Sequence, residues 1–128
     1  RVNDLQYTSN DADAIVKNIK DVGKSVFKNI YSHSLKEKMV TKENIFKTFK
    51  EIGEKTTAND VFLLFISGHG KFDKILKEYF FIPATCRVDD DLEKKAIGQK
   101  VLFNALSYIQ AGKSILLLDT CRSGGIIN

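Results

Sequence analysis

The stretch SILLLDTCRSGG, residues 114–125, places an uninterrupted apolar run, Ile115 to Leu118, directly before Asp119, Thr120 and Cys121. Apolar residues on both alternating faces of so short a segment predict a strand covered on both sides, the condition of a parallel sheet flanked by helices. A free cysteine is usually a small buried hydrophobe. Here it stands just past the strand, followed by Arg122, Ser123, Gly124 and Gly125. Core filler and nucleophile are the two readings of Cys121, and the second needs a base elsewhere in the chain.

A second run of the same kind, DVFLLFIS at 60–67, ends in Gly68, His69 and Gly70. Around these two strands the pattern alternates. Residues 10–22 predict an amphipathic helix opened by Asn10, with Ala14, Ile15, Ile19 and Val22 at helical spacing. SVFKNIYS at 25–32 is rich in β-branched and aromatic residues and predicts a strand. Thr41 caps an expected helix to Ile52, with Ile45, Phe46, Phe49 and Ile52 on one face. EYFFIP at 78–83 predicts a short strand stopped by Pro83, and 98–111 a helix through Val101, Leu102, Ala105, Leu106 and Ile109. The polar stretches KFDKILKE and RVDDDLEKK are expected in loops. Strands alternating with helices define an α/β domain with a largely parallel sheet.

The chain has 128 residues, enough for one domain with a modest core. Lysine and arginine number 20 against 16 acids, a net charge of +4, and the lysines are scattered. That distribution is expected of solvated faces rather than a nucleic-acid footprint. No apolar run reaches the length of a membrane span, so neither nucleic acid nor membrane is an expected partner. Two cysteines without ligand-pair spacing predict free thiols in a reducing, cytoplasmic setting, and they argue against a zinc site with His33 and His69. The chain opens on RVNDLQYTSND and stops at GGIIN, which suggests a piece of a larger protein.

In open α/β sheets ligands bind beyond the carboxyl ends of the strands. Both apolar strands deliver a chemically capable residue there, His69 from one and Cys121 from the other. A helical crossover between them would set the strands close together, so that the imidazole could take the thiol proton. Gly70 and Cys121 offer backbone N–H groups to an oxyanion. His33 in YSHS is expected on the surface, and Cys86 as an ordinary thiol.

FISGHG followed by LLLDTCRSGG resembles the caspase-like cysteine peptidases, in particular the metacaspase and bacterial orthocaspase branch. His69 and Cys121 are separated by 121 − 69 = 52 positions, close to the roughly 50 residues between histidine and cysteine in caspases. YFFIPATCRVDDDLEKKAI resembles the family's segment after the histidine, and LQYTSNDADAI the start of its first helix. The resemblance implies a caspase-like α/β fold, the caspase-hemoglobinase type, with residues 1–128 as the large-subunit-like portion of the catalytic domain. The portion is expected to be incomplete at both ends, with the small-subunit-like half absent. It implies a cysteine endopeptidase with a Cys121–His69 dyad, an acyl-enzyme, an oxyanion hole from Gly70 and Cys121, and zymogen self-processing. Asp11, Ser67 and Asp119 match the positions that receive a basic side chain, which implies cleavage after arginine or lysine. Charge-assisted hydrogen bonds would favour that residue and reject an acidic one.

The expected partners are a protein or peptide substrate and either the rest of the polypeptide or a small-subunit-like chain. No cofactor and no metal are expected. The acidic run Asp89 to Asp91 invites a calcium reading, but its spacing departs from the family's calcium loop, and consecutive acids commonly decorate solvated loops. For Asp119 a strand-end cap is the plainer alternative, and for Asp11 a first-turn acid complementing the helix dipole. The alternative to an enzyme is an inactive caspase-like domain serving as an interaction scaffold.

Overall fold

The apolar run beginning at Val61 forms the strand on which the whole sheet is organised. The structure, a computed structural model, describes residues 2–83, 86–87 and 91–120, and the side chains among them except at 2–12, 37 and 120. Its elements in chain order are α1 (Val2–Gly23), α2 (Lys42–Lys55), β1 (Val61–Asp73), β2 (Glu78–Ile82), α3 (Leu92–Lys95), β3 (Ile97–Gly98), α4 (Gln99–Leu106) and β4 (Lys113–Thr120), with a short 3-10 turn at Glu37–Met39. The sheet runs β3-β2-β1-β4.

The expected α/β architecture is present, and the two apolar runs lie side by side as a parallel pair. Val61 is opposite Lys113, Ser67 opposite Asp119 and Gly68 opposite Thr120. The sheet as a whole is mixed, because β2 is antiparallel to both β1 and β3. Alternation along β1 divides its side chains between two faces. Phe62 is buried, and Leu64, Ile66 and Phe72 pack on the same core. That core joins Ile45 and Phe49 of α2, Tyr79 and Phe81 of β2, Ile97 of β3, and Leu102 and Ala105 of α4. Phe49 and Phe62 meet edge to face, with centroids 5.7 Å apart and ring planes at 73°. Burying side chains of this size stabilises by about 1.5–3 kcal/mol each. α1 packs against β1 but contributes no described side chain to this core.

α2 begins where its residues require. Thr41 is extended, and its hydroxyl accepts a 3.1 Å hydrogen bond from the Asn44 backbone N–H. One free N–H of the first turn is thereby satisfied. Ile45 and Phe49, four apart, then fall on the buried face.

The structure corrects several expected elements. α1 begins at Val2, so Asn10 lies inside the helix rather than at its cap. Residues 25–32 are not a strand. They follow a turn closed by Phe27 N–H donating to Gly23 O at 2.8 Å, and Val26 and Tyr31 are 74% and 82% exposed. A β-branched composition makes a strand only where a neighbour supplies hydrogen bonds, and no strand among the described residues pairs with this one. KFD does not leave the sheet: β1 continues through Lys71, Phe72 and Asp73 and returns as β2. The Asp73 carboxylate accepts 2.9 Å bonds from the N–H groups of Ile75 and Leu76, and Lys77 adopts φ 52° to close the turn. Part of the acidic loop is helical, as α3, and α4 ends at Leu106 rather than at 111.

Candidate active site

The candidate site begins where β1 exchanges partners. Through Gly68 the strand pairs with β4, and from His69 onward it pairs with β2, His69 facing Ile82 and Gly70 facing Phe81. Gly68 has φ 145°, which a side chain would resist. Gly68 ends the segment paired with β4 along one edge of β1, and His69 is the first residue paired with β2 along the other. The expectation of a histidine beyond the strand tip is thus refined: it stands inside a longer strand, at the end of the parallel segment.

Ser67 and Asp119 are direct partners across the β1–β4 ladder, at a strand spacing of about 4.8 Å. Ser67 and His69 alternate with Ile66, Gly70 and Phe72, so they fall on the face turned away from the core. Ser67 and His69 are half-buried and Asp119 is exposed. Among the described residues the Asp119 carboxylate has no ion-pair partner. A hydroxyl beside an open carboxylate accepts hydrogen bonds from a cationic group and repels an anionic one.

Gly70 is buried, and a β-carbon there would overlap the Tyr79 hydroxyl. Cys121 and everything after it lie outside the described residues, so its expected meeting with His69 rests on the register up to Thr120. Asp11 belongs to α1, and its side chain is not among those described. Cys86 is half-buried just past β2. Its backbone N–H donates to Pro83 O at 2.9 Å, and its Sγ lies 3.8 Å from Arg87 O. His33 is exposed, as expected.

Of the acids proposed as a calcium loop, Asp89 and Asp90 lie outside the described residues. Asp91 caps α3, accepting from Glu93 N–H at 2.9 Å. Two cavities, of about 300 and 370 Å³, lie away from His69. The first is lined by Lys20, Lys24 and Lys28 with neighbours from residues 27–30, the second by Lys42, Glu78, Phe80 and Glu93 among others.

Two residues that the sequence reading did not single out shape this region. Glu78, at the start of β2, accepts a 2.9 Å hydrogen bond from Lys100 N–H and so caps α4, whose own cap residue Gly98 has no side chain to offer. Tyr79 is 2% exposed and meets Phe81 edge to face at 5.3 Å. An acid followed by a tyrosine at the head of a short apolar strand was the visible signal, but the partner of Glu78 lies 22 residues later and that of Tyr79 nine residues earlier.

No described helix is long and apolar enough to cross a membrane. Comparison with curated proteins and with solved structures gave no match. The model of the caspase domain family matches residues 1–128, the whole chain. The match agrees with the helix-flanked mixed sheet and with the order of the motifs along it. The chain belongs to the caspase domain family of cysteine-type peptidases, hydrolases that act on proteins.

Proposed function

We propose that this chain carries the nucleophile and the base of a cysteine endopeptidase, of the metacaspase-like branch, that cleaves after arginine or lysine. The observation that supports the reading is the β1–β4 register, in which Gly68 is paired with Thr120; in sequence, His69 directly follows the first and Cys121 the second. In this reading the Cys121 thiolate attacks the scissile carbonyl, and the carbonyl oxygen takes up the electron pair. Backbone N–H groups of Gly70 and Cys121 hold that oxyanion. The His69 imidazolium protonates the departing amine, leaving a thioester. His69 then takes a proton from water, which attacks the thioester and releases the acid product.

Specificity follows from the carboxylate beside the dyad. Asp119, next to Ser67 and one turn of strand alternation from His69, would bind a guanidinium or ammonium, with Asp11 as a second acid from α1. An acidic P1 residue would meet like charge. Self-processing at a basic residue of the same polypeptide fits that preference.

Fluorogenic peptides ending in Arg, Lys or Asp, given to the full-length protein, test the reading. Turnover of the Arg and Lys peptides alone is expected, with Cys121→Ala inactive. Asp119→Ala should lower kcat/KM for the basic peptides about 10²-fold, which is the size expected when a charge-assisted contact of roughly 2–3 kcal/mol is lost. A preference for Asp would refute the pocket assignment. Equal turnover by Cys121→Ala would refute the peptidase assignment, and a folded but inert protein would leave the scaffold reading.

A further inference from the structure

We propose that Tyr79 is a positioning residue whose hydroxyl fixes the peptide of Gly70, the residue that would donate to the oxyanion. The inference rests on the function proposed above and adds to it a residue that never touches substrate.

Gly70 sits on the core face of β1, buried, directly after His69. Tyr79 lies on the same face, opposite Phe72 and therefore diagonal to Gly70 across the β1–β2 ladder. Its hydroxyl occupies the space that a side chain at 70 would take, and its ring edge follows it, with Cε1 2.6 Å from that β-carbon position. A glycine with free space beside it can rotate its peptide plane at little steric cost. Here the tyrosine removes that space.

The tyrosine is itself held. It is 2% exposed and packed edge to face on Phe81, the residue paired with Gly70. The contact therefore joins a rigid core aromatic to a strand residue that has no side chain of its own to pack. The requirement comes from the segment's other end. Gly68, at φ 145°, stands where the β4-paired segment ends, and a glycine restrains its neighbours poorly. A donor must stay within a few tenths of an ångström of the developing charge to act on it. Gly70 is held along one edge of β1 by its pairing with Phe81, and what remains is to press its peptide plane from the core side. Tyr79 supplies that pressure from the face opposite the histidine.

The test uses Tyr79→Phe in the full-length protein, which removes the hydroxyl and keeps the ring. On an Arg-terminated fluorogenic peptide kcat should fall about 10-fold, a part of the roughly 10²–10³-fold that loss of a whole oxyanion donor brings, with KM within about twofold. Inactivation by an Arg-terminated peptidyl acyloxymethyl ketone, whose carbonyl oxygen gathers charge when the thiolate adds, should slow in parallel. Alkylation by iodoacetamide, which develops no oxyanion, should not change. Backbone amides of 68–72 should exchange faster with deuterium, a readout independent of activity. Wild-type kcat in Tyr79→Phe overturns the inference. Equal slowing of the ketone and of iodoacetamide, or a lowered melting temperature that accounts for the loss, also overturns it, since either reports general disruption. An inert wild-type protein refutes the peptidase reading itself, and this inference with it.

Discussion

Replacing His69 with alanine in the full-length protein is expected to lower kcat on an Arg-terminated peptide by about 10³-fold or more, with little change in KM. The size follows from the double duty proposed for the imidazole. Without it the thiol is not deprotonated and the leaving amine is not protonated, and each proton transfer is worth roughly 10²–10⁴-fold. Groups that act as a unit lose most of their effect when one is removed, so His69→Ala combined with Cys121→Ala should be no worse than either alone. Binding should persist, because Ser67 and Asp119 belong to the parallel segment of the ladder before the partner change. The fold should persist as well, since His69 is half-buried on the face away from the core. Steady-state kinetics beside a thermal melt decides the matter. A His69→Ala enzyme with more than a tenth of wild-type kcat would mean another base serves the thiol.

The largest effect on stability is expected at Phe49. Its ring is 5% exposed and meets Phe62 of β1, in a core shared with Leu102 and Ala105 of α4, so it ties the second helix and the fourth to the strand that carries the site. Phe49→Ala removes that burial and leaves a cavity, together about 3–5 kcal/mol. For a domain stable by about 5–15 kcal/mol, that is a large share. Urea denaturation should show a midpoint lowered by about 2 M. Tyr31→Ala should be nearly silent, within about 0.5 kcal/mol, because that side chain is 82% exposed in a segment without a strand partner. A comparable loss from Tyr31→Ala would mean that 25–32 does pair with a strand.

The contrast between these positions also explains what could be read from the sequence. The two apolar runs were legible as strands because an unbroken apolar stretch of that length is distinctive, and their parallel pairing followed from the spacing of the elements between them. The cover expected on both faces is not found at β4, where Ile115, Leu116 and Leu117 are 47%, 40% and 41% exposed among the described residues. α2 was legible because Thr41 and the Ile45–Phe49 spacing are local signals that packing had no reason to override. SVFKNIYS misled because a strand is not a local object: its residues suit a pleated surface, yet no described strand bonds to them. The extension of β1 was hidden for the opposite reason. Lys71 and Asp73 read as loop composition, although K-F-D is also the alternation of a half-buried strand with only Phe72 facing the core.

Within the candidate site, His69, Ser67 and Asp119 were visible because motif and strand coincide. Tyr79 and Glu78 were not, since what each does depends on a partner brought near by the hairpin and by the turn into α4. The sequence placed Gly70 by its neighbour in HG and gave no sign that a tyrosine nine residues later fills its missing side chain. The acidic run shows a similar limit. Asp91 resembles its neighbours in sequence, yet it caps a four-residue helix.

The central claim is that Cys121, and not the chain's other thiol, is the nucleophile. The most direct measurement treats the full-length protein with an Arg-terminated peptidyl acyloxymethyl ketone and locates the adduct by peptide mass mapping. The thiolate displaces the carboxylate, so a carbon–sulfur bond replaces a carbon–oxygen bond and the modified cysteine keeps the label. The account predicts a single adduct on Cys121, nearly abolished in His69→Ala and much reduced with an Asp-terminated ketone. An adduct on Cys86, or labelling of Cys121 that is indifferent to His69, would contradict it.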